Sequence, residues 1–301
     1  MATSPEYHRF IEKVRSRPKA VGATVEQTRE TLEKIGARMS VPDGVTIASV
    51  DAGGVPAEWT TPDGVETGRV ILYMHGGGYN YGSASSHRAL AARIALAAEA
   101  QVLSIDYRLA PEHPFPAAVD DGVAAYRWLL NQGTPADRIV SAGDSAGGGL
   151  ALATLVALRD AGDPTPAAYV GLSPLTDLAK EGESFRTKVD VDPLTDPESS
   201  AANAARYLGL DGDPKHPLAS PLYADLAGLP PSLILVGTWE ILMDDSTRLA
   251  ERARAAGVDV DLQVWDEMVH IWPYYADFFP EARQAIDVIG AFVKARIPAR
   301  P

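Results

Sequence analysis

The 301-residue chain is 46% hydrophobic and 22% charged, with a formal net charge of −13 and no cysteine. That profile fits a globular protein long enough to bury a full core in one large domain, and its negative charge speaks against nucleic acid or an anionic membrane as partner. The missing cysteines exclude disulfides, thiolate catalysis and cysteine-bound metal. Residues 1–6 lack an apolar signal core and no stretch has the length of a membrane span, so a cytoplasmic location is expected.

Along the chain, Tyr7, Phe10, Ile11 and Val14 recur at helical spacing. After Pro18, Thr24-Val25-Glu26-Gln27 has the form of a capping box, and Leu32, Ile35 and Met39 continue a second apolar stripe. Residues 1–44 are therefore expected as two helices laid as a cover over something else. Strand signals begin at 45–50 and resume at 55–60 after the Gly53-Gly54 turn, which predicts a hairpin at a sheet edge. Strands at 69–74, 101–105, 139–142 and 168–172 then alternate with helices at 84–100, 117–131 and 148–160. Such alternation implies an α/β fold: a mostly parallel sheet with helices on both faces. The helix at 148–160 is apolar nearly all round and should be buried.

The pattern breaks after Asp177. Residues 178–218 are polar and punctuated by proline, with one helix predicted at 198–208, and are expected to pack with the N-terminal helices as a small helical cap. Strands return at 232–236 and 258–265, with helices at 246–256 and 281–296. The chain thus divides into N-terminal helices (1–44), a core in two parts (45–177 and 219–301) and the inserted cap (178–218).

Chemistry is expected at Gly143-Asp144-Ser145-Ala146-Gly147, which joins a predicted strand to a predicted helix. A sharp turn there lifts the Ser145 hydroxyl clear of the sheet and sets it near a helix N-terminus, where unpaired N–H groups favour negative charge. A side chain at either flanking glycine would collide with the strand or the helix. A nucleophilic serine needs a base, and in sheets of this kind the acid and then the histidine follow the serine. Only His216 and His270 do so. His216 sits in a proline-rich turn of the insertion, whereas His270 lies just past a strand end, so His270 is the preferred base. The acid should follow the strand at 232–236, where Glu240, Asp244 and Asp245 are candidates. Asp244 and Asp245 stand just before a predicted helix and have a capping explanation; Glu240 does not, and it is preferred. Upstream, His75-Gly76-Gly77-Gly78 can bring backbone N–H groups to one point. A phosphate loop is the competing reading, but no Gly-Lys-Ser/Thr follows. His75 itself reads as a structural hydrogen-bonding residue.

Together with Asp106-Tyr107-Arg108-Leu109-Ala110-Pro111-Glu112-His113-Pro114-Phe115-Pro116-Ala117-Ala118, these motifs make the chain resemble the hormone-sensitive-lipase-like esterases, the bacterial family IV branch of the α/β-hydrolases. The likeness runs from about Val70 to the C-terminus. It implies an α/β-hydrolase fold of eight strands with a helical cap. It implies Ser145 as nucleophile, His270 as base, and the N–H groups of Gly77, Gly78 and Ala146 as the oxyanion hole. Two departures stand out: Glu240 occupies a position where the family usually has Asp, and Gly149 one where many members have Asn. The implied reaction is hydrolysis of short- to medium-chain esters through an acyl-serine, with a small-molecule ester as partner and no cofactor or metal. A lactone hydrolase and a deacetylase on the same triad are alternatives, as is a non-catalytic receptor on the same fold. Similar plant hormone receptors lack the histidine that this chain retains. The last strand, with Asp259 and Asp261 alternating along it, is an expected sheet edge and a candidate homodimer contact.

Overall fold

A computed structural model describes residues 3–16, 22–66 and 68–299; Met1, Ala2 and Pro18 fall outside them. The strands are β1 (Val45–Asp51), β2 (Pro56–Pro62), β3 (Val70–Met74), β4 (Gln101–Ile105), β5 (Ile139–Asp144), β6 (Ala168–Leu172), β7 (Ser232–Trp239) and β8 (Val260–Val269). They form one sheet in the order β1-β2-β4-β3-β5-β6-β7-β8. β2 is antiparallel to β1 and to β4, and the other pairs are parallel. The helices are α1 (Pro5–Arg15), α2 (Val25–Gly36), α3 (Arg88–Ala98), α4 (Ala117–Asn131), α5 (Ala146–Ala161), α6 (Ser184–Thr187), α7 (Pro197–Leu208), α8 (Met243–Ala255) and α9 (Pro280–Arg296).

Side chains alternate across the sheet and so divide the core in two. Ile71 and Tyr73 of β3 pack with residues of α3 and α9, such as Ile94 and Ile289. Leu72 and Met74 pack on the other face with residues of α4 and α5, such as Leu129 and Leu150. Strands β3, β5 and β6 are buried along their whole length, which is why they read as apolar runs rather than as alternation. Helix α5 is buried at nearly every position down to Leu158, as its composition demands. The α/β-hydrolase architecture expected from the sequence is therefore the one observed.

Both bonds of the Thr24–Gln27 capping box are present at the start of α2. Helix α1 is more than a cover. Tyr7 is fully buried and donates to the Glu267 carbonyl at the end of β8. Phe10 packs against Tyr275, Phe278 and Phe279, and such aromatic pairs add about 0.5–1.5 kcal/mol each beyond area burial. Arg15, at the end of α1, reaches the Val191 carbonyl in segment 178–218 at 3.4 Å.

Of the boundaries that depart from expectation, three bear on the site. Helix α3 starts at Arg88 rather than near residue 84, because the Ser83 and Ser86 hydroxyls bond the local backbone and compete with helix. Strand β8 continues to Val269, so His270 follows it directly. Helix α8 starts at Met243 with Leu242 at its N-cap and no side-chain cap, so its sequence carries no start signal. Asp244 and Asp245 therefore lie inside its first turn and are not N-caps. Among the described residues, no helix is long and apolar enough to cross a membrane.

Candidate active site

Because β5 ends at Asp144 and α5 begins at Ala146, Ser145 stands alone in the turn, with φ 51° and ψ −122°. A non-glycine residue held there costs on the order of 1–3 kcal/mol, so its neighbours must over-determine it. They do: Ser145 N–H donates to the Leu172 carbonyl, and the Ser145 carbonyl accepts from Leu175 N–H, both at 2.8 Å. The flanking glycines have the predicted reason. A Cβ on Gly147 would overlap the Met74 and His75 carbonyls, and one on Gly143 would overlap the backbone of Gly147.

His270 brings its Nε2 to 2.9 Å from Ser145 Oγ, and its Nδ1 to 2.9 Å from Glu240 Oε2. A carboxylate only accepts, so Nδ1 carries the proton and Nε2 is free to receive one from the serine. Glu240 is fully buried; its other oxygen accepts from Ser173 Oγ at 2.9 Å and from Gly237 N–H. Burial raises the Glu240 carboxyl above its ordinary value, against the pull of His270 and of the Gly237 amide. Burial works against a charged imidazole at His270, yet the Glu240 carboxylate outweighs it and the ring ends above its ordinary value.

Beside this line, Gly77 and Gly78 both have positive φ, and they and Ser145 are partly exposed among buried neighbours. Among the described residues, the N–H groups of Gly77, Gly78 and Ala146 donate to no protein acceptor. Amides in that condition can receive a developing oxyanion. The other candidates lie elsewhere. His216 Nδ1 accepts from Leu218 N–H in its own turn. Asp244 accepts from Ser184 N–H, and Asp245 from Thr176 and Asp177 N–H. His75 stacks on Tyr107 and shares a 2.8 Å bond with the Gly76 carbonyl; burial pushes it down to about 3, so it stays neutral.

Residues 71–274 match the family model described as alpha/beta hydrolase fold. An acetyl-hydrolase of Streptomyces hygroscopicus is 50% identical over 256 residues, which cover 85% of this chain and 84% of that one. The crystal structure of an esterase from the bacterial hormone-sensitive lipase family superposes with a TM-score of 0.94 at 50% identity, covering 99% of this chain and all of the other. The chain belongs to the hormone-sensitive-lipase-like branch of the α/β-hydrolases. An esterase of Acinetobacter venetianus is 40% identical over 224 residues, 74% of each chain. A structure of EstE5 soaked with p-nitrophenyl butyrate gives a TM-score of 0.94 at 44% identity, over 98% of this chain and 100% of that one.

The structure also gives contacts around this hydrolase site to residues that the motifs left without a role. Asp144 is fully buried; one oxygen accepts from Tyr73 Oη at 2.7 Å and Gly76 N–H at 3.0 Å, and the other lies 3.4 Å from His87 Nε2. Burial would raise Asp144, but His87, helped by the Tyr73 hydroxyl, outweighs it and holds the carboxyl below its ordinary value. Ser173, also fully buried, donates to Glu240 and accepts from Ile271 N–H at 3.1 Å, so it joins the residues beside His270 to Glu240. Gly149 has its explanation here: a Cβ would overlap the Leu175 carbonyl. In α7, Tyr207 is core, stacked on Tyr79 with centroids 3.8 Å apart. Phe185 lies beneath the Lys180 ammonium at 4.7 Å.

Proposed function

We propose that the chain is a serine carboxylesterase acting on short- to medium-chain esters, with Ser145, His270 and Glu240 as its triad. Ser145 Oγ attacks the ester carbonyl carbon as its proton passes to His270 Nε2. The carbonyl oxygen becomes an oxyanion, held by the N–H groups of Gly77, Gly78 and Ala146. His270 returns the proton to the departing alkoxide, which leaves as the alcohol, and an acyl-serine remains. Water then enters, gives a proton to His270 and attacks the acyl carbon. Collapse frees the carboxylic acid and restores Ser145. Throughout, Glu240 keeps the proton on Nδ1 and stabilises the imidazolium that forms twice per turnover.

The observation that carries this reading is the pair of 2.9 Å bonds running Ser145–His270–Glu240. Segment 178–218 is read as the cap over the site, with the N-terminal helices beside it. The acetyl-hydrolase relative and the p-nitrophenyl butyrate soaked into EstE5 support a short acyl group. Rates on p-nitrophenyl esters should peak at acetate to butyrate. Ser145→Ala should fold normally and lose on the order of 10⁴-fold or more in turnover. A peak at palmitate with a jump at the oil–water interface would overturn the substrate class. Retention of about a tenth of the wild-type rate by Ser145→Ala would overturn the nucleophile.

The acetyl-hydrolase relative favours one second reading, removal of acetyl groups from larger alcohols. Faster turnover of an acetylated sugar than of p-nitrophenyl acetate would decide for it. Among the described residues, strand β8 pairs only with β7, and it exposes Val264; a homodimer through that edge belongs to the same proposal, and sedimentation showing only monomer at micromolar concentration would remove it.

A further inference from the structure

Ile241, the residue after Glu240, has both of its backbone groups taken by side chains from segment 178–218. Its N–H donates to Asp192 Oδ2 at 2.9 Å, and its carbonyl accepts from Ser184 Oγ at 2.7 Å. Ser184 is locked in turn: its oxygen accepts from Asp244 N–H at 2.9 Å, and its own N–H donates to the Asp244 carboxylate at 2.8 Å. Asp192 is 2% exposed. Its remaining capacity is used within the segment, by Leu194 N–H and Thr195 N–H at 2.9 Å each and by the Thr195 hydroxyl.

A buried carboxylate usually has a cation beside it, because desolvation of an unpaired charge is expensive. Among the described residues, Asp192 makes no ion pair within 4 Å; four hydrogen-bond donors compensate it, and its charge also favours a protonated His270. A buried acceptor with four donors cannot rotate without stranding some of them, so Asp192 is a rigid fixture. The turn that carries Glu240 is thus gripped from the inserted segment as well as from the sheet, where Gly237 N–H and Ser173 Oγ hold the carboxylate itself.

We propose that Asp192, with Ser184, is a positioning residue that holds Ile241 and so keeps the adjacent Glu240 in register with His270; this rests on the triad reading above. Segment 178–218 then does more than wall the site: it sets the geometry of the acid. An amide is no substitute for this carboxylate. Whichever way the side chain of an Asp192→Asn variant were turned, its NH₂ would face either Ile241 N–H or the Leu194 and Thr195 amides.

A double-mutant cycle on p-nitrophenyl acetate tests this, using the full chain and the variants Asp192→Ala, Glu240→Gln and both together. Misplacement of a catalytic group by about 1 Å costs up to roughly 100-fold, so Asp192→Ala should lower kcat about 10- to 100-fold with KM within about twofold. If it acts through Glu240, the same substitution in the Glu240→Gln background should change kcat less than about threefold. An equal loss in both backgrounds, a raised KM with normal kcat, or a lowered Tm with normal kcat would each overturn the positioning role. Glu240→Gln turning over at the wild-type rate would instead bring down the triad reading, and the Asp192 proposal with it. Should Asp192→Ala fail to fold, Ser184→Ala enters the same cycle with the same expected non-additivity, and additivity there overturns the proposal.

Discussion

The Asp144 carboxylate accepts the Gly76 amide at 3.0 Å, so the residue before Ser145 anchors the loop that carries Gly77 and Gly78. The same oxygen also holds Tyr73 Oη. Asp144→Ala would strand both donors in a buried place and free the glycine loop. Loss of oxyanion donors commonly costs about 10²–10³-fold in turnover, and a comparable fall in kcat is expected, with the protein still folded. Asp144→Asn can keep one oxygen for both donors and should lose far less. Steady-state kinetics of the two variants, with Tm measured alongside, check this.

Glu240→Gln should lower kcat by several orders of magnitude with little change in KM, since the carboxylate acts on the tautomer and charge of His270. Asp244→Asn and Asp245→Asn should keep turning over, because both carboxylates bond backbone amides away from His270. A dead Asp245→Asn beside an active Glu240→Gln would show the acid to be misassigned.

The proposed mechanism needs His270 neutral, and its folded pKa lies above the ordinary 6.5 because Glu240, with Asp192 and Asp144 adding to it, outweighs burial. Activity should therefore rise with pH through a limb above 6.5 and fall away below it. In Glu240→Gln the raising carboxylate is gone and burial remains, so the residual activity should show that limb at lower pH. Profiles of kcat/KM against pH for both proteins test the shift.

Asp245 gives a stability signature. Burial pushes its carboxyl up to about 7 from 3.8, despite the Thr176 and Asp177 amides that favour its charge. Between those values the folded state binds more protons than the unfolded chain, so this group's contribution falls as pH rises from about 4 to 7. Both amides donate to one oxygen, Oδ2. Asp245→Asn can keep that acceptor without the buried charge. Its Tm relative to the wild type should be higher at about pH 8 than at about pH 5; a difference that does not change with pH would refute the assignment.

Gly149→Asn, which restores the residue common in the family, should destabilise this chain. Helix propensity improves by less than about 1 kcal/mol, but the new Cβ meets the Leu175 carbonyl, and overpacking typically costs about 1–3 kcal/mol. Thermal denaturation should show Tm lower by a few degrees. Leu175 N–H also holds the Ser145 carbonyl, so kcat should fall as well.

What could be read from the chain alone was what neighbours in sequence determine. Strand, turn and helix around Ser145 are encoded within a short stretch of chain, and the flanking glycines report the tightness of that turn. The order serine, acid, histidine singled out His270 because only two histidines follow Ser145, and one lies in a turn. The start of helix α8 was placed three residues late because it has no cap, and that hid how Asp244 and Asp245 are used. The contacts that hold Glu240 were out of reach for a different reason. Ser173 meets Glu240 across 67 residues, and Asp192 meets Ile241 across 49. A buried carboxylate and an exposed one have the same letter; only the packed chain decides which oxygens lose water and must find donors. The sequence by itself determined the fold class and which serine and histidine could meet. The tertiary structure decided what surrounds them, because desolvation and hydrogen-bond partnership come into being only when distant segments close on one another.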